Sequence, residues 1–67
     1  MKRKPVTPEQ IRELMAAMGV TTQAEFAYAL NTDFSTVNKW LNGVRKPGKM
    51  ACGIMRNLAH SKGLNWE

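Results

Sequence analysis

Small proteins often staple themselves with disulfides or metal, and this chain has almost nothing to do either with. Its 67 residues include one cysteine and one histidine. Cys52 alone excludes an intrachain disulfide, and with His60 it leaves too few ligands for a structural zinc site. The longest apolar run, residues 14–20, has seven residues counting Gly19, whereas a membrane span needs roughly 18. The basic start Lys2-Arg3-Lys4 is followed by Pro5, Thr7, Pro8 and Glu9, not by the apolar segment of a signal peptide. Paired carboxylates, a nucleophile set beside a base and a phosphate-cradling glycine loop are all missing, so neither catalysis nor a cofactor is expected. Nothing resembles an effector pocket. The sum is a soluble chain in a reducing compartment, read as the cytoplasm, with no membrane segment. A domain this small buries only about 60% of its unfolded surface, so regular helix packing or a partner chain must stabilise it.

Acid is also missing from one half of the chain. Residues 1–33 carry four bases and four acids, but residues 34–66 carry Lys39, Arg45, Lys46, Lys49, Arg56 and Lys62 with no acid, within a net charge of +5. Clustered bases of this kind are the electrostatic footprint of a nucleic-acid binder; the plainer reading is a solvated face that aids solubility.

Start and stop signals divide the rest into helices. Thr7-Pro8-Glu9-Gln10 is a capping box that opens a helix over about residues 8–18, with Ile11, Leu14, Met15 and Met18 on one stripe and Gly19 as its stop. Thr22-Gln23-Ala24-Glu25 is a second capping box; Phe26, Ala27 and Leu30 give the apolar face of a short helix over about 23–30. Asn31 tolerates a left-handed turn, and Asp33 suits the cap of a third helix over residues 34–42. There Val37, Trp40 and Leu41 face inward, leaving Phe34, Ser35, Asn38, Lys39 and Asn42 outside. After the basic loop at residues 45–48, Met50, Ala51, Ile54, Met55 and Leu58 form one apolar band of a fourth helix over about 49–60. Cys52 lies off that band, as a partly buried and unreactive thiol. Leu64 and Trp66 stand in a tail with no intrachain home in sight. Residues 1–6 are expected to form a flexible basic arm and residues 7–67 one domain.

At residues 22–47 the stretch TQAEFAYALNTDFSTVNKWLNGVRKP resembles the helix-turn-helix of the Cro/CI-type repressor family, also called the Xre family. The matching residues are Thr22-Gln23, Phe26-Ala27, Leu30, Ser35-Thr36-Val37, Lys39-Trp40, Gly43 and Arg45-Lys46-Pro47. The chain departs at the turn, where Asn31, Thr32 and Asp33 replace the family's Gly, apolar residue and Ser, and Thr32 weakens one core contact. The resemblance implies an all-α, lambda-repressor-like bundle of four to five helices, with the helix-turn-helix at about 22–42. It implies a transcriptional regulator of phage or bacterial type that binds double-stranded DNA.

On that footing residues 34–42 enter the major groove. Phe34, Ser35, Asn38 and Lys39 are the candidates for base readout: Asn pairs with adenine, Lys with guanine, and an apolar ring with a thymine methyl. Phe34 has a second reading, packing back near Phe26. Gln23, Thr36, Asn42, Arg45, Lys46 and Lys49 are the candidates for the DNA backbone, which positions the protein without reading sequence. Lys2, Arg3 and Lys4 either follow the duplex or form a solvated tail. Trp66 with Leu64 is expected at a homodimer contact, since an aromatic in a short tail often anchors an interface. Trp40 and the methionines are expected as core. The alternative function is an antitoxin-type module that binds a toxin or similar protein and represses its own operon.

Overall fold

The computed structural model describes residues 5–66. They form four helices and, among the described residues, no strand: α1 (Pro8–Met18), α2 (Gln23–Ala29), α3 (Phe34–Leu41) and α4 (Lys49–Ser61). The fold is a small all-α bundle. α1 packs on α3 and α4, and α2 packs on α3.

The boundaries follow from local hydrogen bonding. Thr7 Oγ1 accepts from the Gln10 amide at 3.2 Å while Gln10 Oε1 accepts from the Thr7 amide at 3.0 Å. Two otherwise orphaned donors of the first turn are thereby satisfied. Gly19, at φ 76°, closes α1 and lets the Val20 amide donate back to the Met15 carbonyl at 3.1 Å. At α2 the expected capping box is half formed. Thr22 Oγ1 accepts from the Glu25 amide at 3.1 Å, but the Glu25 carboxylate turns to Thr21, whose amide and hydroxyl donate to one oxygen at 3.1 and 3.2 Å. Thr21 offers two donors where the Thr22 backbone offers one.

Between α2 and α3 the chain turns through Asn31 at φ 57°, a conformation Asn tolerates because its short side chain bonds locally. Thr32 then donates its amide to the Ala27 carbonyl at 2.9 Å. Asp33 Oδ1 accepts from the Thr36 amide at 3.0 Å and starts α3 at once.

Ile11, Leu14, Phe26, Val37 and Met55 are fully buried and form the centre of the core, with Ala27, Leu30, Trp40, Leu41 and Ala59 around them. Three expectations need correction. The core begins earlier than residue 7: Val6 is only 3% exposed and belongs to it. The buried line of α4 is Cys52, Met55 and Ala59, whereas Met50 is 83% and Ile54 41% exposed. At about 100° per residue the helix is turned roughly 100° from the expected band. The small Cys52 and Ala59 let it approach its neighbours, and the Cys52 thiol lies 3.6 Å from the Pro47 carbonyl. Cys52 is thus buried rather than half-buried.

The third correction concerns the tail. Gly63, at φ 80°, reverses the chain after α4, and the Leu64 amide donates to the Ala59 carbonyl at 2.8 Å. Leu64 packs half-buried on the core, and Trp66 is 7% exposed. Trp66 Nε1 donates to Glu13 Oε1 at 2.9 Å, and the Trp66 carbonyl lies 3.2 Å from His60 Nε2. The two tail residues do have an intrachain home, so their expected role as a dimer contact loses its basis.

Candidate nucleic-acid interface

α3 presents its outer face because Val37, Trp40 and Leu41 hold the opposite face in the core. Phe34 remains 53% exposed and stands outside the core that holds the fully buried Phe26. Ser35, Lys39 and Asn42 are exposed; Thr36 and Asn38 are half-buried.

Three amides tie this face to α2. Asn38 Nδ2 donates to Gln23 Oε1 at 3.0 Å, and Asn42 Nδ2 donates to Asn38 Oδ1 at 2.8 Å. A side-chain amide has two donor hydrogens and two acceptor lone pairs. Asn38 therefore keeps one N–H and one lone pair, which is the complement a bidentate contact with an adenine edge requires. Gln23 engages only its oxygen here, so its Nε2 hydrogens remain available to a phosphate oxygen. The chain of bonds also stiffens the face, because neither Gln23 nor Asn38 can change rotamer without breaking a bond to the other.

The basic residues follow directly. The Val44 and Arg45 amides donate to the Lys39 carbonyl at 3.0 and 3.3 Å, which folds the loop back on the end of α3. Arg45, Lys46 and Lys49 are exposed, and no acidic residue lies between them. α4 begins at Gly48 without a side-chain cap, so no cap side chain occupies the amides of its first turn beside Lys49. Asp33 and Glu25 serve at the starts of α3 and α2. The Thr36 hydroxyl and amide hold the Asp33 carboxyl below its ordinary range, with a smaller contribution from Lys39. The Thr21 amide and hydroxyl do the same for Glu25.

Of the expected site residues, the structure brings Gln23, Asn38 and Asn42 into one bonded chain and leaves Phe34, Ser35, Lys39, Arg45, Lys46 and Lys49 exposed. Lys2, Arg3 and Lys4 lie outside the described residues. No group of three or more His, Cys, Asp or Glu suited to a metal occurs among the described residues, and no helix there is long and apolar enough to cross a membrane. Sequence reasoning missed a groove of about 320 Å³ where the start of the chain meets the loop after α3. Only the prolines at 5, 8 and 47 mark it in the sequence, and their proximity is tertiary. Comparison with protein-family models, with curated proteins and with solved structures finds no match.

Proposed function

We propose that this chain is a sequence-specific regulator of transcription that binds double-stranded DNA, acting in the cytoplasm of a bacterial cell as a repressor. In this reading α2, the turn at Asn31 and α3 act as a helix-turn-helix. α3 enters the major groove with Phe34, Ser35, Asn38 and Lys39 toward base edges, and Gln23, Thr36, Asn42, Arg45, Lys46 and Lys49 meet the backbone. The observation that carries it is the Gln23–Asn38–Asn42 amide chain at 3.0 and 2.8 Å, set beside an acid-free basic loop. Amides stacked along an outward helix face do little for a core but match the donor and acceptor pattern of base edges. Occupying a promoter suffices for repression and needs neither catalysis nor a cofactor.

A palindromic operator would be bound by two copies, with half-sites roughly 34 Å apart. The surface offered to a second copy is Met50 and Ile54 of α4, exposed apolar side chains one turn apart. The same residues favour a second reading, in which a toxin-type protein covers them and operon repression is secondary.

The test is the salt dependence of binding to duplex DNA. Four cations, Lys39, Arg45, Lys46 and Lys49, displacing counterions predict that log K falls against log salt with a slope of about −3 to −4 per chain. Binding that ignores salt would contradict the reading.

A further inference from the structure

The groove at the start of the chain has a chemistry that DNA binding alone does not use. Its walls are apolar: Pro5 and Val6 before α1, Trp40 from α3, and Pro47 before α4. Arg45 and Lys46 also line it, and no acidic residue does. Both cations are exposed, and neither meets a carboxylate among the described residues. The Trp40 indole N–H makes no hydrogen bond within residues 5–66, yet no buried polar side-chain atom there lacks a partner, so this donor reaches solvent. A concave apolar site with a few polar groups is the usual form of a small-molecule site, and a volume of about 320 Å³ falls at the small end of that range.

We propose that this groove binds a small aromatic carboxylate, with the ring against Trp40, Val6 and the prolines and the carboxylate on Arg45 and Lys46. Charge selects this occupant over the others at hand. The chain's own first residues, Lys2, Arg3 and Lys4, would add three cations to two unpaired ones. A second copy carries +5 and has no acid in residues 34–66. An aryl acid supplies the missing negative charge and an apolar body of suitable size, and Arg donates two parallel N–H bonds to the two oxygens of a carboxylate. The consequence for regulation rests on the DNA-binding reading. Arg45 and Lys46 cannot hold a ligand carboxylate and a DNA phosphate together, so the acid would release the operator.

The experiment uses the full chain, labelled with 15N, titrated with 2-naphthoate and separately with the neutral 2-naphthamide. With 2-naphthoate, the Trp40 indole signal and the backbone signals of Val6 and Lys46 should move and saturate, with a Kd of about 1 mM or tighter for a ligand of this size. The naphthamide should bind at least tenfold more weakly. An R45A/K46A double variant, both sites being exposed, should lower the acid's affinity to that of the amide. Absence of saturation, equal binding of acid and amide, or movement confined to other residues would overturn the site. So would the same signals moving on protein concentration alone, which would mean that a second copy occupies the groove. A second arm measures duplex DNA binding by the unmodified chain: the acid should raise the DNA Kd in step with its own occupancy, and the amide should not. An acid that saturates the groove and leaves DNA binding unchanged overturns the regulatory part. A chain that binds the acid but never binds DNA overturns the function proposed above and leaves the ligand site standing.

Discussion

Trp66 Nε1 donates a 2.9 Å hydrogen bond to Glu13 Oε1, joining the last turn of the described chain to α1 across 53 positions. With 7% of its surface exposed, this indole closes the core rather than waiting for a partner. Trp66→Ala should therefore destabilise the protein by about 3–5 kcal/mol in urea denaturation, the range for removing a buried aromatic. Trp66→Phe keeps a smaller aromatic ring and loses the hydrogen bond, so an intermediate loss of about 1–3 kcal/mol is expected. A Trp66→Ala loss below about 0.5 kcal/mol, the scale of an ordinary surface change, would mean that the tail does not dock.

The helix caps predict an acid limb. Glu25 and Asp33 are both held below their ordinary carboxyl values, by Thr21 and Thr36 respectively. A group depressed in the folded state contributes stability that is fully present above its unfolded pKa and is lost as pH falls through the folded pKa. Stability should hold from neutrality down to the ordinary carboxylate range and then decline. Replacing Asp33 with Asn and Glu25 with Gln should flatten that decline, because a neutral amide still accepts at a cap. An acid limb of unchanged depth would show that these two carboxylates are not its source.

Base reading and backbone binding separate cleanly in their variants. Asn38→Ala removes the donor to Gln23 and the acceptor for Asn42. It should relax preference at one base position by about 1–3 kcal/mol. Lys46→Ala should weaken all sequences alike and shallow the salt slope by about 1. Competition binding with single-base operator variants reads both, and a preference unchanged by Asn38→Ala would remove Asn38 from the readout.

If two copies share an operator as proposed, the outward face of α4 is where they would meet. Met50→Lys and Ile54→Lys lie at exposed positions, so each should change stability by no more than about 0.5 kcal/mol. Each should nonetheless abolish self-association in sedimentation, through apolar loss and added like charge. An association state that survives both variants would place the dimer elsewhere.

What was legible in the sequence was local. Caps such as Thr7 and Asp33 announce themselves through side chains that bond within four residues, and Gly19 through the left-handed backbone it alone adopts freely, so the bounds of α1 to α3 are legible nearly to the residue. The inward set Val37, Trp40 and Leu41 was equally plain from spacing. What was not legible depends on tertiary contact. Cys52 and Ala59 look like weak core candidates beside Met50 and Ile54, and only close helix approach reverses that order. The link from Trp66 to Glu13 has no local signature at all. At the candidate interface the outward residues were legible from the α3 pattern. The bond from Gln23 to Asn38 needed the α2–α3 packing to bring positions 15 apart within 3.0 Å.

The central claim is that α3 reads DNA sequence, and selection from random duplex DNA tests it most directly. The protein is incubated at about 150 mM salt, where non-specific contacts are already weakened, and the retained duplexes are sequenced. The account predicts an enriched inverted repeat with half-sites about ten base pairs apart. Retained DNA with no enriched sequence would contradict it, leaving a basic face without a reader.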